Sequence, residues 1–360
     1  MATPSRLSEM TTLRLGGPAA RLVDAGAEAE LVEAVRRADA DAEPLLVLGG
    51  GSNIVAADAG FAGTVVRVRN AGVRASAAGD RVRLDVAAGE SWDALVARCV
   101  REGLAGVECL AGIPGSVGAT PIQNVGAYGQ EVAETIVSVR VHDRARDVVE
   151  ELPAAACGFS YRSSAFKRQP GRWIVLGVAF ALERSRLSAP IRYAELARAL
   201  GVDAGARAPL GAVREAVLAL RRSKGMVLDP ADPDSVSAGS FFTNPVLSAA
   251  EFAALERRAA RAAPSGGGRV PAWPSDDGSV KTSAAWLIER AGFRRGHGDP
   301  CGIAISSKHT LALVNHGAGT TAELVALARE IAGGVHEAFG VELVPEPVFV
   351  GYAWAPVASA

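Results

Sequence analysis

Glu346 stands between Pro345 and Pro347 in VELVPEPVFVG (341–351), a closing stretch that is otherwise largely apolar and reads as a strand. A carboxylate inside such a strand is expensive unless it has a partner, which makes Glu346 a candidate functional acid. Arg162 follows Tyr161 in CGFSYRSSAFK (157–167), between a strand-like entry and a Ser-rich turn. An arginine there can hold a carboxylate through paired N–H donors, or it can be a plain surface side chain. Ser240 lies after Gly239 and before two aromatics in AGSFFTNP (238–245), either a rigid hydroxyl at a pocket floor or an ordinary turn residue. The run Arg221-Arg222-Ser223-Lys224 ends a helical pattern. Its cations can meet a phosphate or merely offset the helix dipole.

Two glycine-rich stretches suggest a large ligand. From Leu110 to Gln130 no side chain is charged, and Gly112, Gly115, Gly118, Gly126 and Gly129 alternate with Pro114, Pro121 and isolated polar groups (Ser116, Gln123, Asn124, Tyr128). Glycine lets a backbone lie flush against a flat ligand. Such a wall suits an apolar ring system with a hydrogen-bonding rim, and a flavin is the expectation; a buried irregular connection in a large α+β domain has the same composition. Upstream, the apolar Leu45–Leu48 runs into Gly49-Gly50-Gly51-Ser52-Asn53, whose N–H groups and side chains could face a diphosphate; a plain hairpin-type connection is the alternative. No Lys-Ser/Thr closes this loop, so Walker chemistry is not expected. A Rossmann fingerprint fails as well, since a turn and a strand follow instead of a helix.

Bulk properties exclude other classes. A chain of 360 residues with net charge −1 has ample core and no global field to recruit nucleic acid or anionic membrane. Cys99, Cys109, Cys157 and Cys301 form no CxxC pair, and the five histidines show no HExxH spacing, so neither disulfides nor a metal centre is expected. The first residues lack a basic segment followed by an apolar core, so no signal peptide is expected and the protein reads as soluble and cytoplasmic.

The elements that must position these residues follow from periodicity. Helices are expected at 28–38, from a Ser91 cap to near Gly103, at the end of 185–200 with Tyr193 just inside its start, and at 210–222, 249–262, 286–293 and 321–339. Strands are expected at 65–68, 82–86, 137–142, 173–182, 310–315 and 341–351. The Gly/Pro/Ser-rich 264–279 reads as a surface loop.

Together LGGGSN (48–53), LAGIPGSVGATPIQNVGAYGQE (110–131), FSYRSSAFK (159–167), AGSFFTNP (238–245), GSVKTSAAWLIERAGF (278–293) and PE (345–346) resemble, in order and over essentially the whole chain, the MurB family of flavin-dependent UDP-N-acetylenolpyruvoylglucosamine reductases. IRYAEL (191–196) is similar to the form with a Tyr-bearing substrate loop. The resemblance implies an α+β fold: a two-lobed FAD-binding region of the PCMH/VAO type plus a C-terminal α+β substrate-binding domain. Its parts would be lobe 1 at 1–72, lobe 2 at 73–219 with a return strand at about 336–360, and a UDP-sugar domain at 220–335. Gly49, Gly50, Gly51, Ser52 and Asn53 would hold the FAD diphosphate. The wall would hold the rest through Gly112, Ile113, Gly115, Ser116, Gly118 and Ala119, then Gln123, Asn124, Gly126 and Ala127.

Ser240 would be the proton donor, with Arg162 and Glu346 flanking the enolpyruvyl group. Tyr161, Tyr193, Arg221, Lys224, Asn244 and Glu289 would meet the UDP-sugar. The substrate would be UDP-N-acetylglucosamine-enolpyruvate, with no metal and no oligomeric partner required. NADPH would be a transient hydride donor that competes with the sugar for one channel. The family usually continues after Pro-Glu with an aliphatic and then a basic residue, whereas here Pro347 and Val348 follow. An FAD oxidase on the same scaffold and a non-catalytic nucleotide-sugar sensor are the other readings of these motifs.

Overall fold

The computed structural model describes residues 5–262 and 269–354. Tertiary contacts divide the chain into two compact units, Ala19–Gly51 with Ala62–Val227, and Ser5–Pro18 with Ser52–Phe61 and the described residues from Leu228. The boundaries expected at 72 and 219 differ from these. The later break falls between Val227 and Leu228, and the closing strand, expected with the central lobe, pairs within the second unit.

Among the described residues, the strands of the first unit lie mainly in two sheets, beside the short antiparallel pair Gly126–Ala127 and Gln130–Glu131. In the smaller, the strands Ala19–Ala25, Phe61–Val68 and Leu45–Leu48 lie side by side in that order, the last two parallel. The helix Glu28–Ala40 buries Leu31, Val32, Val35 and Ala38. In the larger, the twelve-residue strand Trp173–Arg184 lies antiparallel between Ile136–Asp143 and Arg81–Ala87. Val82, Leu84 and Val86 alternate into the core, as their period of two requires. The helix Trp92–Glu102 starts where Ser91 Oγ accepts the Ala94 N–H at 3.5 Å and stops at Gly103, which takes φ 69° at its C-cap. Buried Leu95, Val96 and Cys99 face the core beside Trp92, whose indole N–H donates to the Leu110 carbonyl at 3.1 Å. That bond ties the helix to the head of the uncharged stretch.

In the second unit the strands Ser237–Ser240 and Ile303–Ile305 flank Ala312–Asn315, all antiparallel. The helix Thr321–Phe339 begins with a capping box in which Thr320 and Glu323 satisfy each other's N–H groups, and Gly340 closes it at φ 67°. Its inner face, Leu324, Ala328, Ile331 and Val335, shares one core with Leu287 and Ile288 of the helix Ala284–Arg290.

Three expectations are corrected. Tyr193 is the residue before the helix Ala194–Leu200, its N-cap position, not a residue inside it. The strand expected at 310–315 is shorter, Ala312–Asn315. The closing strand is only Val348–Val350 and runs parallel to Ile54–Ala56. Residues 344–346 make only an isolated antiparallel bridge, Pro345 with Phe242, and Pro347 carries no N–H to extend it, so Glu346 is half-buried ahead of the strand instead of inside it. Of the loop expected at 264–279, residues 264–268 lie outside the described residues, as do residues 1–4 of the first lobe and 355–360 of the return segment. Among the described residues no helix is long and apolar enough to cross a membrane.

Candidate functional site

In the first unit the two glycine-rich runs meet backbone to backbone. A Cβ on Gly50 would lie 2.6 Å from the Gly115 Cα, and one on Gly49 would collide with the Ser116 hydroxyl. Ser116 bridges Ser91, and the Trp92 N–H donates to the Gly115 carbonyl at 3.1 Å, so the wall is pinned to the start of the helix Trp92–Glu102. Gly118 donates its N–H to the Ala88 carbonyl at 2.8 Å, and a Cβ on it would stand 2.5 Å from Ala88 Cβ. Gly112, at φ 71°, donates to Asp93 Oδ1 at 2.6 Å, and Arg214 Nη2 grips the same carboxylate at 3.0 Å. Ile113, Gly115, Ala119, Gly126 and Ala127 are half-buried along this surface, and Gln123 is buried.

The fit to FAD rests on this cradle. Side chains are excluded where the runs touch, so main-chain groups and small side chains line the surface, the arrangement a diphosphate and an aromatic ring system need. Gly50→Val is therefore expected to cost about 1–3 kcal/mol of stability through overpacking. It should also yield protein with substoichiometric flavin, read from a denaturant melt and the ratio of 450 to 280 nm absorbance.

Asn124 is held by the protein itself. Its Nδ2 donates to Glu131 Oε2 at 2.6 Å and to the Ser160 carbonyl at 3.0 Å, and its Oδ1 accepts the Ala133 N–H at 3.2 Å. The second of these bonds draws the arginine-bearing turn onto the wall. Ser160 and Ser163 exchange both backbone hydrogen bonds at 3.0 Å, making Tyr161-Arg162 a two-residue turn. Arg162 occupies its second corner at φ 52°, a left-handed conformation that non-glycine residues rarely adopt. The guanidinium folds onto the wall: Nη2 donates to the Gly126 carbonyl at 2.6 Å and Nη1 to the Asn124 carbonyl at 3.3 Å. Arg162 is thus a docked group, and the surface-side-chain alternative is set aside.

Tyr193, Arg221 and Lys224 also converge in this unit, around a residue not chosen as a substrate contact from sequence. The Tyr128 ring lies edge-on to Tyr193 with centroids 5.4 Å apart, and Lys224 Nζ is 5.9 Å from the Tyr128 centroid. Lys224 pairs with Glu195 at 2.8 Å. Arg221 is 7% exposed. Its Nη2 donates to the Met226 carbonyl at 2.7 Å, yet no acceptor meets its Nε among the described residues. Burial pulls its guanidinium down to about 10, against the opposing influence of Tyr128 and Asp93, while burial pushes the Tyr128 hydroxyl up to about 12. A buried cation with no carboxylate bonded to it is costly, and an anionic ligand would offset that cost.

In the second unit Ser240 ends the strand Ser237–Ser240 at a register shift against Ala312–Asn315. Gly239 supplies the φ of 75° there, and such a bulge re-aims the following side chain. The Phe241 N–H donates to the Leu311 carbonyl at 2.7 Å, and the Phe241 carbonyl accepts the Glu346 N–H at 2.8 Å. Ser240 and Glu346 are therefore held one hydrogen bond apart along the chain path. Asn53 Nδ2 donates to the Glu346 carbonyl at 3.3 Å, and its own carbonyl accepts the Val348 N–H at 2.9 Å. Pairing, not a basic side chain, fixes position 348. Ser52 precedes this contact, half-buried.

Asn244 and Glu289 serve local structure: Asn244 Oδ1 accepts the Ala284 N–H at 3.0 Å, and Glu289 Oε1 accepts the Thr310 hydroxyl at 2.6 Å. Sequence reasoning missed His309, whose Nε2 lies 3.5 Å from Ser240 Oγ. The two are 69 positions apart, and no motif spacing links them.

Residues 19–151 match a family described as an FAD binding domain, and 230–350 match the C-terminal domain of UDP-N-acetylenolpyruvoylglucosamine reductase. The reductase of Thermobifida fusca (strain YX) is 60% identical over 349 residues, 96% of each chain. That of Streptomyces coelicolor is 58% identical over 96% of this chain and 89% of the relative. The MurB crystal structure from Thermus caldophilus shares the fold, with a TM-score of 0.64 and 24% identity over 96% of this chain and 97% of that one. The class is α+β, with an FAD-binding region of the PCMH/VAO type and a C-terminal α+β domain, as the sequence led one to expect. An identity this high, sustained along nearly the full length of both chains, makes this protein a member of the UDP-N-acetylenolpyruvoylglucosamine reductase (MurB) family.

Proposed function

We propose that this chain reduces the enolpyruvyl group of UDP-N-acetylglucosamine-enolpyruvate to give UDP-N-acetylmuramate, a step of peptidoglycan precursor synthesis in the cytoplasm. The observation that carries the reading is the 60% identity to a reductase of that name over 96% of both chains. Held against Gly49–Asn53 and the uncharged wall, FAD reduced by NADPH would supply hydride chemistry at the substrate double bond.

The residues supply the rest. Negative charge flows toward the substrate carboxylate as hydride arrives, and Arg162 is the cation assigned to it. Its guanidinium is already oriented by two wall carbonyls, so little reorganisation is needed when the charge appears. Ser240 gives a proton to the adjacent carbon. Glu346, whose backbone is tied to the Phe241 carbonyl, is assigned to the enolpyruvyl end, with Tyr161 beside Arg162. Arg221, Lys224 and Tyr193 take the diphosphate and sugar, and the unsatisfied Nε of Arg221 supports that assignment. Asn244 and Glu289 remain candidates for the same ligand.

Arg221→Met nearly conserves volume and removes the charge. The expected result is a rise in KM for the UDP-sugar of roughly 10- to 100-fold with kcat little changed, since a charge-assisted bond is worth about 1.5–3 kcal/mol. Steady-state kinetics check it.

The reading as a whole is tested by colour and turnover. Purified protein should be yellow, should consume about one NADPH per flavin when no sugar is present, and should turn NADPH over continuously only when the enolpyruvyl sugar is added. Oxygen consumption with another alcohol or sugar and no dependence on this substrate would replace the reductase with an oxidase. Sugar-nucleotide binding without flavin would leave a sensor.

A further inference from the structure

A serine hydroxyl is a poor acid, and one that gave up its proton unaided would be left as a strongly basic alkoxide. The structure puts an imidazole where that problem arises. His309 Nε2 is 3.5 Å from Ser240 Oγ, and both side chains are half-buried. The histidine sits in a fixed turn. Its N–H and that of Lys308 both donate to Ser306 Oγ, at 3.2 and 3.0 Å, and Ser306 is fully buried. The His309 carbonyl accepts the Ala312 N–H at 3.0 Å, so the turn continues into the strand that faces Ser240.

The charged groups on this turn are already engaged. Lys308 pairs with Asp232 at 2.7 Å, Asp234 accepts the Ser307 N–H and hydroxyl at 2.9 and 2.7 Å, and Glu289 accepts from Thr310. These bonds hold the backbone that carries the ring. Histidine is the side chain that ordinarily exchanges protons with solvent between about pH 5 and 8.

We propose that His309 is a positioning residue for the proposed reduction: it orients the Ser240 hydroxyl and returns a proton to it during turnover. This rests on the reading of Ser240 as proton donor. As hydride adds to the terminal carbon, the substrate carbon next to the carboxylate takes the proton of Ser240 Oγ, and a C–H bond forms while the O–H bond breaks. The Oγ–H bond re-forms as the His309 Nε2–H bond breaks, and solvent then reprotonates the imidazole. One hydride from NADPH and one solvent proton are added across the double bond, so the substrate is reduced, NADPH is oxidised and the protein ends as it began.

The test uses full-length, FAD-loaded protein in stopped flow. His309→Gln keeps a hydrogen-bonding side chain but removes the exchangeable ring proton. It should be reduced by NADPH at the parent rate and be reoxidised by the enolpyruvyl sugar at least about tenfold more slowly, within the range general acids contribute. His309→Ala should behave alike and recover when imidazole is added. In a Ser240→Ala background neither substitution should slow reoxidation further. Without substrate, the ring 15N resonances of His309 should move when Ser240 becomes alanine. Parent-like reoxidation in His309→Gln, no recovery with imidazole, a further multiplicative loss on Ser240→Ala, or unmoved resonances would each overturn the proposal. If Ser240→Ala itself consumes the sugar normally, the assignment of Ser240 has failed; if it does not and His309→Gln does, only His309 has been misassigned.

Discussion

Replacing Ser240 with alanine is expected to slow consumption of the enolpyruvyl sugar by about 10²- to 10⁴-fold, the contribution of a positioned general acid. Flavin reduction by NADPH should proceed at the parent rate. The separation follows from what the hydroxyl does and what its backbone does. Ser240 Oγ meets His309, whereas the strand end is held by the bond from the Phe241 N–H to the Leu311 carbonyl and by two buried aromatics, Phe241 and Phe242. Alanine removes the proton and leaves those anchors intact. A thermal melt should therefore move little, and a double-mixing experiment should find fast bleaching of the flavin followed by a stalled return of colour. Normal return of colour would exclude Ser240 as the acid.

Arg162→Ala should have an effect of similar size by a different route. Losing one preorganised donor at a developing oxyanion costs about 2.7–4 kcal/mol, or 10²- to 10³-fold in rate. Arg162→Lys keeps the charge but not the planar fork that reaches the Gly126 and Asn124 carbonyls together, so it should recover only part of the loss. The loss should fall on reoxidation by the sugar. Because Arg162 holds φ 52° in its turn and its carbonyl accepts from Lys167 Nζ at 3.1 Å, the backbone constraint survives a side-chain change. Arg162→Gly serves as the control. It relieves the left-handed strain, so it should melt no lower than Arg162→Ala while being reoxidised just as slowly. Equal reoxidation rates in parent and Arg162→Ala would remove the guanidinium from the mechanism.

These predictions depend on different kinds of information in the chain. Local chemistry marked where some of the helices and strands begin and end. Ser91 and Gly103 bracket one helix, Thr320, Glu323 and Gly340 another, and the period-two run at Val82, Leu84 and Val86 fixes which face of a strand is buried. These signals act over a few residues, through capping bonds and side-chain direction, so they survive in a bare sequence. The glycines marked where the two runs pack backbone to backbone for a similar reason, since only residues without bulk permit such an approach.

What tertiary structure decided is which distant segments meet. Arg162 reaches carbonyls 36 and 38 positions away, Tyr193 and Lys224 gather on Tyr128, and Val348–Val350 pairs in parallel with Ile54–Ala56 nearly three hundred residues earlier. Glu346 was misread as a strand interior because a short apolar run gives no sign of where pairing starts, and Pro347 delays it. His309 stayed unseen for the same cause. Its partner is set by the register of two strands, and register comes from the packing of whole faces in three dimensions, which no spacing along the chain records.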